Sequence, residues 1–229
     1  MIFDYAEDPG RALDAAVRTL ERGGLVVLPT DTVYGIGVDA FSPEAVQRLL
    51  SAKGRGRQMP PPVLVSGLAV LDALAAEIRP EVRALVERFW PGALTVILRA
   101  QPSLKWDLGE TDGTVALRMP DHPIALALVE RWGPMAVTSA NISGRPAAQE
   151  AATAEGYFGA AVAVYLDGGP TPGLVPSTIV DATSVPMRIV RPGVLAAEVL
   201  AEVAPELVAE GAVTSSPENG TESGTDSGA

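Results

Sequence analysis

Cysteine is absent from this 229-residue chain, and histidine occurs once, as His122. The first absence excludes disulfides and thiolate chemistry. The second excludes a metal site built from several histidines. No apolar run is long enough to span a bilayer. The first residues, Met1-Ile2-Phe3-Asp4-Tyr5-Ala6-Glu7-Asp8, are acidic and lack a signal peptide's basic and apolar regions. A cytoplasmic protein with no membrane attachment is expected. Basic residues are few, 17 against 28 acids, for a formal net charge of −11. That balance argues against a general nucleic-acid binder. Internal repeats, paired glutamates in a motif and any recognisable Ser–His pair are also missing, so covalent catalysis is poorly provided for.

The charge is unevenly spread. From Glu202 onward there are six acids and no Lys or Arg; the 17 basic and 22 acidic residues that remain give −5. Only Lys53 and Lys105 are lysines, so the other cations are Arg. Arg carries a planar fork suited to phosphate and carboxylate. An acidic protein can therefore hold a local cationic groove for a small anionic substrate. Apolar residues make up 47% of a chain long enough to bury a sizeable core in one large domain or two small ones.

The central stretch is Leu25-Val26-Val27-Leu28-Pro29-Thr30-Asp31-Thr32-Val33-Tyr34-Gly35-Ile36-Gly37. It begins as a buried strand. Pro29, with no N–H to give, ends the ladder, and a polar, glycine-containing loop is expected to follow. An α/β sheet often presents its site at such a strand end. An ordinary strand-to-loop exit reads equally well, since the run fits no P-loop.

Around it, residues 9–22 read as a helix ended by Gly23-Gly24. Ser42-Pro43 starts a second helix, with Ser as cap and Pro at the first position. Lys53-Gly54-Arg55-Gly56-Arg57 follows at its end. This is either favourable helix-dipole charge on a solvated loop or a flexible clamp for phosphates. Gln58-Met59-Pro60-Pro61-Pro62 is a stiff connector to the strand Val63-Leu64-Val65. Two short helical patterns split at Pro80. Trp90 reads as a core anchor before the strand Leu94–Leu98, and residues 100–113 as a polar loop. Thr114–Pro120 is a strand carrying Arg118, which reads alone as a salt-bridge partner; His122 reads as the cap of a helix over 123–132. Met135–Thr138 is a strand ending in Ser139-Ala140-Asn141-Ile142-Ser143-Gly144-Arg145, where Ser and Asn could simply close turns. Strands are expected at 161–166, from Ser177, and at 187–190, and a last helix at 194–203. Alternating strands and helices imply a layered α/β sheet.

Four motifs recur in order: Pro29-Thr30-Asp31-Thr32-Val33-Tyr34-Gly35, Lys53-Gly54-Arg55, Ser139-Ala140-Asn141, and Ser177-Thr178-Ile179-Val180-Asp181. Together, over roughly residues 10–195, they resemble the YrdC-like family, whose full members are L-threonylcarbamoyladenylate synthases. The resemblance implies a three-layer α/β fold with a twisted, open, mixed sheet, flanked by helices, and a concave substrate cleft. It implies one catalytic domain over 1–203; residues 204–229, rich in Ser, Gly and Glu, read as an acidic, disordered tail. Too few residues follow the domain for the extra carboxyl-terminal domain of longer family members.

The implied reaction is nucleotidyl transfer. L-Threonine and bicarbonate give N-carboxythreonine, whose carboxylate attacks the α-phosphate of ATP to yield threonylcarbamoyl-AMP and pyrophosphate. Other tRNA-threonylcarbamoylation proteins would then modify adenosine 37 of tRNA, and contact with tRNA itself is conceivable. By position, Lys53 and Arg55 would be catalytic, and with Thr114, Asn141, Gln149 and Arg191 would bind the nucleotide. Thr32, Tyr34, Arg118, Ser139 and Ser177 would hold threonine and the carbamoyl group. Mg²⁺ would travel with ATP, without a dedicated protein site. Where many family members carry a histidine after the Pro-rich connector, this chain has Ser66. The alternative is a non-catalytic, RNA-binding YrdC-like module.

Overall fold

The computed structural model describes residues 1–207. Strand β1 (Ile2–Asp4) leads into helix α1 (Pro9–Glu21), whose first turn is capped by the Asp8 carboxylate accepting the Arg11 N–H at 2.9 Å. Gly23, at φ +66°, turns the chain out of α1 and into β2 (Val26–Leu28). Next come β3 (Gly35–Asp39), α2 (Pro43–Lys53), β4 (Val63–Leu64), α3 (Leu68–Leu74), β5 (Ala75–Ala76) and α4 (Pro80–Phe89). The chain continues through β6 (Leu94–Ala100), β7 (Thr114–Arg118), α5 (Pro123–Trp132), β8 (Met135–Ser139) and α6 (Ala151–Phe158). It closes with β9 (Val164–Asp167), β10 (Thr178–Asp181), β11 (Arg188–Arg191) and α7 (Ala197–Ala201). Helices α1, α2, α4 and α5 each begin on a proline, where the missing N–H costs no intrahelical bond. Ser42 caps α2 through Ala45 N–H, and His122 caps α5 by accepting Ile124 N–H on Nδ1.

Among the described residues the strands form one mixed sheet in the order β1-β9-β2-β3-β8-β4-β7-β6-β10-β11, with β5 added beside β6. Period-two alternation divides its side chains between two cores. Val26, Leu28, Met135, Val137, Val164 and Leu166 face a layer made by α1 and α5. Val27, Ile36, Ala136, Val96, Leu117 and Val180 face the opposite core, which α2, α4 and α6 cover. The α1/α5 layer reaches only as far as Leu64 on β4. Beyond it the same face of β7, β6 and β10 is covered by no helix of the described residues and lines a cavity. The expected open sheet with a concave cleft is the sheet observed.

Some expectations were displaced. Gly35-Ile36-Gly37, read as part of a loop, is the start of β3. A Cβ on either glycine would stand 2.7 Å from a Val137 methyl, so these glycines serve close strand packing rather than a turn. The strand expected at 161–166 starts at Val164, because Gly159–Ala161 forms a 3₁₀ turn after α6. Helix α6 has weak amphipathic patterning and packs through small residues, Ala151 and Ala154, which hid it from a periodicity reading. The final helix is shorter than expected. The packed chain also extends past 203: Ala204 is buried in the larger core and Leu207 rests against it. The rest of the expected acidic tail, 208–229, lies outside the described residues.

Candidate active site

The uncovered half of the sheet floors a cavity of about 620 Å³. Strand ends supply its polar wall: Thr30 and Thr32 after β2, Thr114 and Arg118 on β7, Thr138 and Ser139 on β8, Thr95 on β6, and Ser177 and Arg191 at β10 and β11. The connector from Gln58 to Pro62 and residues Leu108 and Thr111 of the β6–β7 loop form the far wall.

Arg118 lies almost wholly buried at the base. It donates from Nη2 to Asp31 Oδ1 at 2.7 Å, from Nη1 to Thr32 Oγ1 at 3.1 Å and from Nε to the Gly92 carbonyl at 3.0 Å. Thr32 Oγ1 also pairs with Thr30 Oγ1 at 3.1 Å. Opposite, Arg191 clamps Ser177: Nε and Nη2 donate to its carbonyl at 3.2 and 2.7 Å, and Nη2 also reaches its hydroxyl at 3.0 Å. Ser177 Oγ in turn pairs with Thr95 Oγ1 at 2.8 Å. Arg55 donates from Nη1 to Thr138 Oγ1 at 3.2 Å, while its buried Nε has no partner among the described residues.

Burial pushes the Arg191 guanidinium below its ordinary range, and the charges of Arg118 and Arg55 push it the same way. Three guanidinium groups thus share one cavity and repel one another, and an anion entering among them is attracted by all three. Around them stand hydroxyls. Among the described residues no group of three or more His, Cys, Asp or Glu could hold a metal ion. Asp31, beside the cavity, is committed to Arg118 and to the Asp121 N–H.

Thr32, Tyr34, Arg55, Thr114, Arg118, Ser139, Ser177 and Arg191, all candidates from the sequence, line this cavity. Lys53, Asn141 and Gln149 are absent from its lining. Lys53 is the last residue of α2 and is fully buried rather than part of a flexible loop. Its ammonium donates to the Ser139 carbonyl and, at 2.9 Å, to Asn141 Oδ1, which also accepts the Ser139 hydroxyl at 2.6 Å. A buried ammonium needs fixed acceptors, and these hold it behind the cavity wall. Burial first, and then the Arg55 charge, pushes Lys53 down to about 7. The Asn141 amide N–H₂ donates to the Arg145 carbonyl at 2.7 Å, and the Gln149 carbonyl accepts Thr171 N–H. Tyr34 contributes to the wall, but its hydroxyl donates to the Gly169 carbonyl at 2.7 Å, and burial pushes it up to about 12. Ser66, which stands where many family members have histidine, is not part of the lining.

Thr30 and Asp31, though part of the first motif, and Thr95 and Thr138 were not named as site residues from the sequence. Thr95 carried a readable signal as the one hydroxyl inside the apolar run Leu94–Leu98. Asp31 carried one as an acid flanked by two threonines.

Fold and site together define an α/β protein with a cationic, hydroxyl-lined small-molecule cleft. A family model for Sua5, YciO and YrdC proteins, described as "Telomere recombination", matches residues 18–193, and the chain belongs to this family. It is 51% identical over 201 residues to a Mycobacterium tuberculosis protein provisionally named threonylcarbamoyl-AMP synthase, covering 87% of this chain and 93% of that one. It is 41% identical over 181 residues to the Pyrococcus abyssi threonylcarbamoyl-AMP synthase, covering 78% of this chain and 53% of the relative. The crystal structure of P. abyssi Sua5 complexed with L-threonine superposes with a TM-score of 0.82 at 38% identity, over 86% of this chain and 58% of that one.

Proposed function

We propose that this protein is an L-threonylcarbamoyladenylate synthase, forming threonylcarbamoyl-AMP and pyrophosphate from L-threonine, bicarbonate and ATP. The observation that carries the reading is the convergence of Arg55, Arg118 and Arg191 on one hydroxyl-lined cavity. Its relatives bear the name of this activity, and one of them binds L-threonine.

Among the described residues, the cleft contains no nucleophile activated by a base. Holding reactants in line and neutralising developing charge are what its residues can do, and nucleotidyl transfer draws mainly on those two effects. Arg55 and Arg191 bind the phosphates. Arg118, with Thr32 and Ser177, receives the amino acid. Lys53 supports Ser139 and Asn141, which border the adenylate and the carbamoyl group. Thr114, on the nucleotide side, and Tyr34, in the wall, shape the pocket. Mg²⁺ accompanying ATP would be held by phosphates and water rather than by side chains of this cleft, and would supply charge neutralisation. The product passes to other tRNA-modifying proteins in the cytoplasm; no helix of the described residues is long and apolar enough to cross a membrane.

Equilibrium binding separates this reading from a non-catalytic RNA-binding module. The synthase should bind ATP and L-threonine saturably, and bind tRNA weakly if at all. Tight tRNA binding with a steep salt dependence, and no binding of either small molecule, would favour the module.

A further inference from the structure

Asp31 stands next to the cavity without lining it, and its charge partner, Arg118, does line it. Its Oδ1 accepts Arg118 Nη2 at 2.7 Å and the Asp121 N–H at 3.0 Å. The pair is nearly dry, with side-chain exposures of 8% for Arg118 and 15% for Asp31. Elsewhere among the described residues, the ion pairs Arg57–Asp107, Arg83–Asp72 and Arg131–Asp14 have both partners at least 31% exposed, as expected of surface pairs.

Guanidinium has five N–H donors. In Arg118 the Nε–H is taken by the Gly92 carbonyl, one Nη1–H by Thr32 and one Nη2–H by Asp31. Among the described residues, one hydrogen on each terminal nitrogen remains without an acceptor, on a side chain that lines the cavity. A carboxylate, with two acceptor oxygens, is the anion that two guanidinium donors match best.

We infer that Asp31 is a positioning residue for the amino-acid substrate: it fixes the Arg118 guanidinium so that its remaining pair of donors meets the substrate carboxylate. Asp31 touches no substrate itself. Its carboxylate holds Nη2 while Thr32 and Gly92 hold the other two donors, so the fork is oriented before substrate arrives. Rigid placement removes an ordering cost from binding. The hold also makes charge sense. The Arg118–Asp31 pair is neutral as a unit, which tempers the repulsion among the three cavity arginines while leaving Arg118 two directed hydrogen bonds. This inference rests on the reading of the cleft as a threonine and ATP site.

The test is a double-mutant cycle with ligand binding as the readout. Asp31→Ala, Asp31→Asn, Arg118→Ala and Asp31→Ala/Arg118→Ala are titrated separately with L-threonine and ATP, and kcat and KM are measured for each substrate. Asp31→Ala should weaken L-threonine binding about tenfold to a hundredfold, the worth of one charge-assisted hydrogen bond. ATP affinity should change much less. Asp31→Asn keeps an acceptor for both Arg118 and Asp121, so it should fold normally and lose part of the threonine affinity, as a rise in threonine KM with little change in kcat. Because Asp31 acts through Arg118, the double variant should lose no more threonine kcat/KM than Arg118→Ala alone. Losses that multiply in the double variant, or equal losses for ATP and threonine, would overturn the inference. So would wild-type threonine affinity in a folded Asp31→Ala protein. Wild-type protein that binds neither ligand would instead overturn the synthase reading on which the inference stands.

Discussion

Lys53 Nζ donates to Asn141 Oδ1 across 2.9 Å, and so ties the last residue of α2 to the loop that leaves β8. Two motifs 88 residues apart in sequence thereby become one structure. The ammonium is enclosed, and Ser139 and Asn141 wrap it on the side nearest the cavity.

That enclosure sets a pH dependence. Burial and the neighbouring Arg55 push Lys53 from its ordinary 10.5 down to about 7 in the folded protein. Between those values the unfolded chain binds more protons than the folded one, so this group's contribution to stability rises with pH across the window. Below about 7 both states are protonated and the cost of burying the charge is fully present. Lys53→Met should therefore flatten the pH dependence of stability above pH 7, measured by urea unfolding at a series of pH values. Parallel curves for the two proteins would show that Lys53 does not titrate in this window.

The hydroxyl pair Thr95–Ser177 stands between the sheet floor and the Arg191 clamp. Thr95→Val keeps the shape and removes one buried hydrogen bond, which should cost about 1 kcal/mol of stability. Ser177 would stay bonded to Arg191 but lose its second support, so threonine KM should rise roughly threefold to tenfold with kcat little changed. Urea melts and steady-state kinetics check both halves. An unchanged KM would remove Ser177 from threonine binding.

Gly35 and Gly37 leave room for the two methyls of Val137 on the neighbouring strand. Gly35→Ala should destabilise the protein by about 1–3 kcal/mol, the range for overpacking a close contact. In a Val137→Ala background the same substitution should cost measurably less, because the clashing methyl has gone. Equal costs in the two backgrounds, by thermal or chemical unfolding, would show that the contact is not the cause.

Residues whose role is local were legible from the sequence. Ser42 caps the helix that Pro43 begins, His122 caps α5, and Gly23 leaves α1 with a positive φ, all as composition suggested. The hydroxyls at strand ends were legible too, since Thr32 and Ser139 each follow an apolar run and Ser177 stands just before one. What needed the structure was pairing across the chain. Glycine in a strand looks like a turn until Val137 is seen above it. Asp31 and Arg118 are 87 residues apart, and nothing local to either marks the other as its partner. Lys53 and Arg55 read as equivalent cations. The end of α2 falls between them, so Lys53 is enclosed while Arg55 reaches the cavity.

The central claim is tested most directly by pyrophosphate release from ATP with Mg²⁺, with bicarbonate and L-threonine present together, each omitted in turn, and serine in place of threonine. The account predicts release that requires bicarbonate and L-threonine together, and a large fall in that release in Arg55→Ala protein that remains folded. Release that ignores threonine, or none in any mixture from folded protein, would contradict it.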